Sequence, residues 1–263
     1  MPYLKGSVGS VARQTSTNRE HIIRDGGSTD GTIEWLRQQK GLVWETSADK
    51  GMYDAINQGW TQASGDVLSW LNADEQYLPD TLSLVEQTFA RHESVDVIFG
   101  DYIICDVKTG KPLAARKEIP LRRSYVVNGP LYAMSCTLFF RRALFDRGML
   151  NMNDNLRDVG DMDLVIRLLD CGVRFLHVPE YLALYGLTSR NMSTGANALA
   201  ERLALRSSCG AFRSGFARNL VRSFRRVEKL CRGCYGVHKV SYSFMKDEHQ
   251  SEEINAIVGS SWQ

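Results

Sequence analysis

Four short apolar runs, each followed by turn residues or by residues at helical spacing, constrain this chain more than any other feature. His21-Ile22-Ile23 stops at Asp25-Gly26-Gly27, a turn signal. Thr32 to Gln39 has helical character and ends at Gly41, in the usual role of glycine past a helix. Leu42-Val43-Trp44 is the second run, and Met52, Ala55, Ile56 and Gly59 then recur at helical spacing before Ser64-Gly65. Val67 to Leu71 is apolar and continuous, as a buried parallel strand requires. Pro79 suits the first turn of a helix whose inner face is Leu82, Val85 and Phe89, and Val95 to Phe99 is the fourth run. Strands alternating with helices predict an α/β fold, with a mostly parallel sheet flanked by helices.

Beyond Gly100 the pattern loosens. Leu138-Phe139-Phe140 is a strand or a buried segment. Asp161 to Cys171 is predicted as a helix, with Leu164, Val165, Leu168 and Leu169 on one face and Gly172 as its stop. Arg174 to Val178 is a strand ended by Pro179, and from about Ala198 the chain reads as a helical tail. The expected division is a domain over 1–197 and a basic amphipathic tail over 198–263.

The net charge of +2 excludes a general affinity for nucleic acid, but its distribution is uneven. Between Arg202 and Lys239 ten basic residues face one acidic residue. No apolar run approaches the ~18–20 residues needed to span a bilayer. Several of the six cysteines lie in apolar stretches, and Met1–Ser10 has no apolar segment of the secretory kind. The expected location is therefore the cytoplasm.

In open parallel sheets, ligands bind at the carboxyl ends of strands, and three polar groups fall there. The first is Asp25-Gly26-Gly27-Ser28-Thr29-Asp30-Gly31-Thr32. Its glycines permit close backbone approach, and the following helix start favours anionic groups. A plain strand-to-helix turn capped by Asp30 or Thr29 explains the same residues. The second is Asn72-Ala73-Asp74-Glu75, where carboxylates can hold Mg²⁺ or Mn²⁺ against substrate phosphates, or form only a solvated acidic turn. The third is Gly160-Asp161-Met162-Asp163. Here a carboxylate is either a helix cap or a general base.

The order of these segments carries a resemblance. Asp25 to Thr32 comes first, then Asp49-Lys50-Gly51-Met52-Tyr53-Asp54-Ala55-Ile56-Asn57-Gln58-Gly59, then Gly65-Asp66-Val67 leading to Leu71-Asn72-Ala73-Asp74. Val97-Ile98-Phe99-Gly100-Asp101, Thr137-Leu138-Phe139-Phe140-Arg141-Arg142 and Asp161-Met162-Asp163-Leu164 with Arg167-Leu168-Leu169 follow. From about Ser10 to Ser193 this resembles the inverting family 2 glycosyltransferases of the GT-A type. The resemblance implies a Rossmann-like GT-A fold and transfer of a sugar from a nucleotide-sugar donor to an acceptor hydroxyl, in polysaccharide or glycolipid synthesis.

By the same resemblance, Asp25 contacts the nucleotide base or ribose, and Asp74 coordinates a divalent metal, Mg²⁺ or Mn²⁺. Asn72 stands where many relatives carry an acidic residue, and Asp161 is the catalytic base. Lys50, Tyr53 and Asp54 line the donor pocket. Two departures stand out. Relatives begin with an apolar strand ending in a Pro-Thr-Tyr-Asn-like segment, whereas this chain starts in the helix that follows it. Ser135-Cys136 replaces a common His-Gln pair. The domain is therefore expected to be incomplete at its amino terminus. An inactive nucleotide-sugar-binding relic is the alternative to an enzyme, with a nucleotidyltransferase a third reading.

The tail bears on partners. Phe216, Leu220, Phe224, Val227 and Leu230 share one helical face, with Arg218, Arg222, Arg225, Arg226 and Lys229 elsewhere. Such a helix can rest on an anionic membrane surface, placing the protein peripherally at the inner face of the cell membrane near a sugar or lipid-linked acceptor. Alternatively, it packs on the catalytic domain and leaves its basic face solvated. Cys231-Arg232-Gly233-Cys234 with His238 falls short of the four ligands a structural zinc site needs.

Overall fold

The computed structural model describes residues 1–188 and 196–260. Segment 189–195, where the resemblance runs out, lies outside the described residues. In chain order the first half comprises α1 (Pro2–Ala12), β1 (Ile22–Asp25), α2 (Thr32–Leu36), β2 (Val43–Thr46), α3 (Met52–Gln62), β3 (Val67–Leu68), β4 (Glu75–Tyr77) and α4 (Thr81–Arg91). There follow β5 (Val97–Asp106), β6 (Pro112–Arg116), α5 (Arg123–Asn128), β7 (Phe139–Arg141), α6 (Arg142–Asp146) and α7 (Gly160–Asp170). The last elements are β8 (Phe175–Leu187), α8 (Ala196–Ser208), α9 (Gly215–Cys231), β9 (Val237–Met245) and β10 (Ser251–Gly259).

The alternation expected from the apolar runs is present, but the sheet pairing is mixed. The central six-stranded sheet has the order β3-β7-β5-β8-β4, with β6 also on β5. Within it only β5 and β8 run parallel. β1 and β2 form a separate parallel pair. β5 is buried along nearly its whole length, as a strand covered on both faces should be. One side of the sheet packs on Trp60, Trp70 and Phe140, whose ring centroids lie 5.7–6.0 Å apart. These join Leu164, Val165 and Leu168 of α7 in one core cluster.

Two local expectations change. Pro179 does not end its strand. β8 runs through it to Leu187, because the ladder to β5 passes from Val178↔Gly100 to Tyr181↔Asp101. Pro179 and Glu180 thus sit in an irregularity where no ladder hydrogen bond is required.

The tail is helical only through Cys231. β9 and β10 then form an antiparallel hairpin, with Val240, Tyr242 and Phe244 buried against Ile103, Cys105 and Leu184. The period-2 alternation of these apolar residues is the strand signal.

α9 is turned over relative to the packing reading of its sequence, which left the basic face solvated. Its basic side faces the protein. Arg225 Nη2 and Lys229 Nζ each lie 2.9 Å from Glu118 Oε2, and Arg222 Nε donates to the Asn128 carbonyl at 3.1 Å. The Arg225 guanidinium also lies over the Tyr132 ring, 4.1 Å from its centroid. Glu228 takes paired hydrogen bonds from Arg122 and a third from the Tyr125 hydroxyl. The apolar stripe from Phe216 to Leu230 is left in solvent.

Candidate active site

Asp25 ends β1 and shapes the turn after it. Its Oδ2 accepts hydrogen bonds from the Gly27 and Ser28 amides at 3.0 Å each and from Thr46 Oγ1 at 2.7 Å. Burial raises the carboxyl's pKa. The bonds from Ser28, Thr46 and the two amides outweigh this and hold it below the usual carboxylate value. Asp25, Gly26 and Ser28 line a cleft of about 270 Å³ whose far wall includes Ala73. Of the second polar group only Ala73 reaches this cleft; Asn72 and Asp74 are not among its lining residues.

The second motif segment joins the Asp25 turn from the side. Asp49 accepts the Gly51 amide at 2.9 Å. Its carboxylate lies against Gly26, where a Cβ would stand 2.8 Å from Asp49 Oδ2. Asp54 accepts the Lys50 amide and Gln58 Nε2, each at 3.0 Å, and these bonds hold its carboxyl below the usual range. Its carboxylate thus ties Lys50, just before α3, to the helix's first turn. Lys50 is exposed and its Nζ lies 3.2 Å from Asp154 Oδ2. Lys50, Tyr53, Asp154 and Arg157 line a smaller cleft of about 50 Å³.

Tyr53 is buried, and its hydroxyl accepts the Gly160 amide at 2.8 Å. This ties α3 to the start of α7. Gly160 is required there, because a Cβ would lie 2.6 Å from the Tyr53 ring. Asp161 follows it and takes the Met162 amide on Oδ1 at 2.8 Å. Burial raises the Asp161 pKa, opposed by the Met162 and Asp161 amides and by Arg202 of α8.

The turn Asn72–Asp74 is held from beneath. Glu75 Oε2 accepts the Asn72 amide at 2.8 Å, and Oε1 takes Ser135 Oγ at 3.3 Å. Glu75 is fully buried, which lifts its pKa to about 7. Asp74 is also raised by burial, relieved only by its own amide. A desolvated carboxylate without a cationic partner among the described residues suits a divalent ion. Among the described residues no group of three His, Cys, Asp or Glu side chains surrounds a common point. Mg²⁺ commonly takes only one or two carboxylates, with substrate phosphates and water completing the shell. On that basis Asp74 fits.

Sequence reasoning missed Glu75 as a buried support and the Asp154–Arg157 wall. Glu75 was legible only as an acidic turn residue, and 150–158 carries no periodic pattern.

A curated relative, the PGL/p-HBAD biosynthesis glycosyltransferase of Mycobacterium bovis (strain BCG / Pasteur 1173P2), is 36% identical over 107 residues, 38% of this chain. The match spans only 42% of that relative's length. Among solved structures, S. aureus TarS 1-349 in complex with UDP-GlcNAc aligns with a TM-score of 0.64 at 17% identity, covering 87% of this chain and 71% of that one. The mannosyltransferase PcManGT of Pyrobaculum calidifontis, in complex with GDP-Man and Mn²⁺, aligns at 0.58 and 16% identity, covering 86% and 66%. These two likenesses establish the GT-A fold of the chain. The family described as glycosyl transferase family 2 matches residues 1–148, more than half of the sequence and every residue that lines the Asp25 cleft, and the chain belongs to that family.

Proposed function

We propose that this glycosyltransferase moves a sugar from a nucleotide-sugar donor to an acceptor hydroxyl with inversion at the anomeric carbon. The reading rests above all on the cleft shared by the Asp25 turn and Ala73. Its curled backbone, with Asp25 held ionised, suits a ribose or base hydroxyl or N–H as donor. The proposed donor site extends through Asn72 and Lys50 toward Asp161. Tyr53 and Asp54 hold its walls, since both side chains are spent on backbone amides. The proposed catalytic domain is 1–197, with 198–263 as an appended segment.

In the proposed step, the Asp161 carboxylate accepts the proton of the acceptor hydroxyl. That oxygen bonds to the anomeric carbon from the face opposite the leaving group. The bond to the diphosphate oxygen breaks, and the nucleotide diphosphate leaves with the electron pair. A Mg²⁺ or Mn²⁺ ion held by Asp74 would neutralise the charge growing on that diphosphate. The TarS complex with UDP-GlcNAc and the PcManGT complex with GDP-Man and Mn²⁺ support a nucleotide-sugar donor and a metal. The proposed acceptor is a sugar or a lipid-linked sugar in polysaccharide or glycolipid synthesis, met at the inner face of the cell membrane; the mycobacterial relative, a PGL/p-HBAD biosynthesis glycosyltransferase, supports a biosynthetic role in general.

A second reading, a nucleotide-sugar-binding protein without turnover, draws on one observation: β1 has a strand neighbour only on its β2 side. Calorimetric titration with UDP-GlcNAc and with GDP-mannose, with and without Mn²⁺, tests the donor site. Mn²⁺-dependent binding that is lost in Asp74→Ala is expected. No affinity for either donor under any condition would overturn the reading. Binding with neither sugar transfer nor release of nucleotide diphosphate in the presence of an acceptor would favour the second one.

A further inference from the structure

A surface helix of a soluble domain buries its apolar stripe and exposes its charges. α9 does the reverse. Phe216 is 79% exposed, Leu230 65% and Phe224 59%, with Leu220 and Val227 beside them, whereas Lys229 is only 6% exposed. Ten of the thirteen exposed large hydrophobic residues among those described fall between Leu199 and Val237. The orientation is fixed by named bonds: Glu118 holds Arg225 and Lys229, and Glu228 is held by Arg122 and Tyr125. Rotating the stripe inward would carry Arg225 and Lys229 away and leave the Glu118 carboxylate buried without its cations.

The charge around the stripe indicates what covers it. Residues 196–232 carry nine Arg or Lys and two Glu. Arg213 and Arg226 are exposed, and neither guanidinium has a protein partner among the described residues. A second copy of this chain would set like charges against each other across the contact. An anionic surface with an apolar interior satisfies both features. A helix of 17 residues is about 25 Å long. Helices with one apolar face of Phe and Leu and basic flanks lie in the plane of the lipid headgroups. Among the described residues no helix is long and apolar enough to cross a membrane, so the contact is peripheral.

We propose that α9 docks the protein on an anionic lipid bilayer by inserting its outward apolar stripe, Phe216 to Leu230, while Arg213 and Arg226 meet lipid phosphates. This deepens the membrane reading of the acceptor. Arg225 and Lys229 serve to hold the helix in this pose rather than to touch lipid.

The test is co-sedimentation of the full chain with phosphatidylcholine vesicles and with phosphatidylcholine–phosphatidylglycerol vesicles, at 0.1 and 1 M salt. Wild type is expected on the anionic vesicles and to be released at high salt, where the Debye length falls from about 10 Å to about 3 Å. Phe216→Ser with Phe224→Ser is expected to weaken binding by at least about tenfold, and Arg213→Gln with Arg226→Gln by about tenfold. Both positions in the first variant are exposed, so folding should hold. Trp fluorescence of a Phe224→Trp variant should shift blue on anionic vesicles and be quenched by lipids brominated near the headgroup end of the chain.

Unchanged sedimentation of the Ser variant, binding indifferent to lipid charge, or no binding by wild type would overturn the proposal. So would a concentration-dependent dimer abolished by the same Ser substitutions, which would assign the stripe to a second copy. Donor titration of wild type beside its sedimentation separates the two readings. Vesicle binding without nucleotide-sugar affinity would leave the docking intact and remove the transferase reading of the cleft. In wild type, intact donor affinity without vesicle binding would remove the docking and leave the transferase reading; the Ser variant is expected to keep donor affinity while losing the vesicles.

Discussion

The Tyr53 hydroxyl on α3 accepts the Gly160 amide on α7 at 2.8 Å, joining residues that are 107 apart in sequence. The bond satisfies a buried donor at the helix start that carries Asp161. Removing the hydroxyl leaves that amide unpaired at a cost of about 1–3 kcal/mol. Tyr53→Phe is therefore expected to lower the unfolding midpoint and to reduce turnover with little change in donor affinity. Thermal unfolding and steady-state kinetics check this. Wild-type values of both would show that the link positions nothing.

Asp161 lies where burial lifts its carboxyl above the usual value, and Arg202 pulls it back. A base must be ionised to take a proton. Transfer should therefore rise with pH through a pKa above the ordinary carboxylate range, and Arg202→Gln should move that limb to higher pH. Asp161→Asn should keep donor affinity and lose transfer. A pH–rate profile with no such limb in wild type, or full turnover in the Asn variant, would place the base elsewhere.

The local parts of this protein were legible, and the long-range ones were not. Asp25 and its glycines announce their turn because the hydrogen bonds that shape it span two or three residues. The amphipathic pattern of α9 announces a helix with two unlike faces, but not which face meets the protein. That choice is made by Glu118, over a hundred residues away in sequence. The hairpin after Cys231 had its signal in the alternation of Val240, Tyr242 and Phe244, which the preceding basic helix obscured. Sheet pairing was misread as mostly parallel because buried central strands look alike in either direction.

Glu118 carries the anchoring of α9. It is buried, and both Arg225 and Lys229 depend on its Oε2. Truncating one member of a buried ionic group commonly costs about 3–5 kcal/mol, because the remaining charges stay desolvated. Glu118→Ala should lower stability by that order and expose the α9 region to protease. Chemical denaturation and limited proteolysis measure the two effects. A change under 1 kcal/mol with unchanged cleavage would mean that other contacts hold the helix.

Glu75 offers a stability test that does not rely on activity. Burial lifts its folded pKa to about 7, against an unfolded value near the ordinary 4.5. The folded state then binds this proton more tightly than the unfolded state does. Its favourable contribution is complete below about pH 4.5 and is lost as pH rises through about 7. Shifts of this kind are worth up to about 3 kcal/mol, about 1.4 for each pH unit. Glu75→Gln keeps an acceptor for the Asn72 amide but cannot ionise. The variant should therefore be as stable as wild type at pH 5 and more stable at pH 8, with donor binding retained. Glu75→Ala should lose stability at both values, because the Asn72 amide and the Ser135 hydroxyl lose their partner. Parallel pH–stability curves for wild type and the Gln variant would show that Glu75 is ionised throughout.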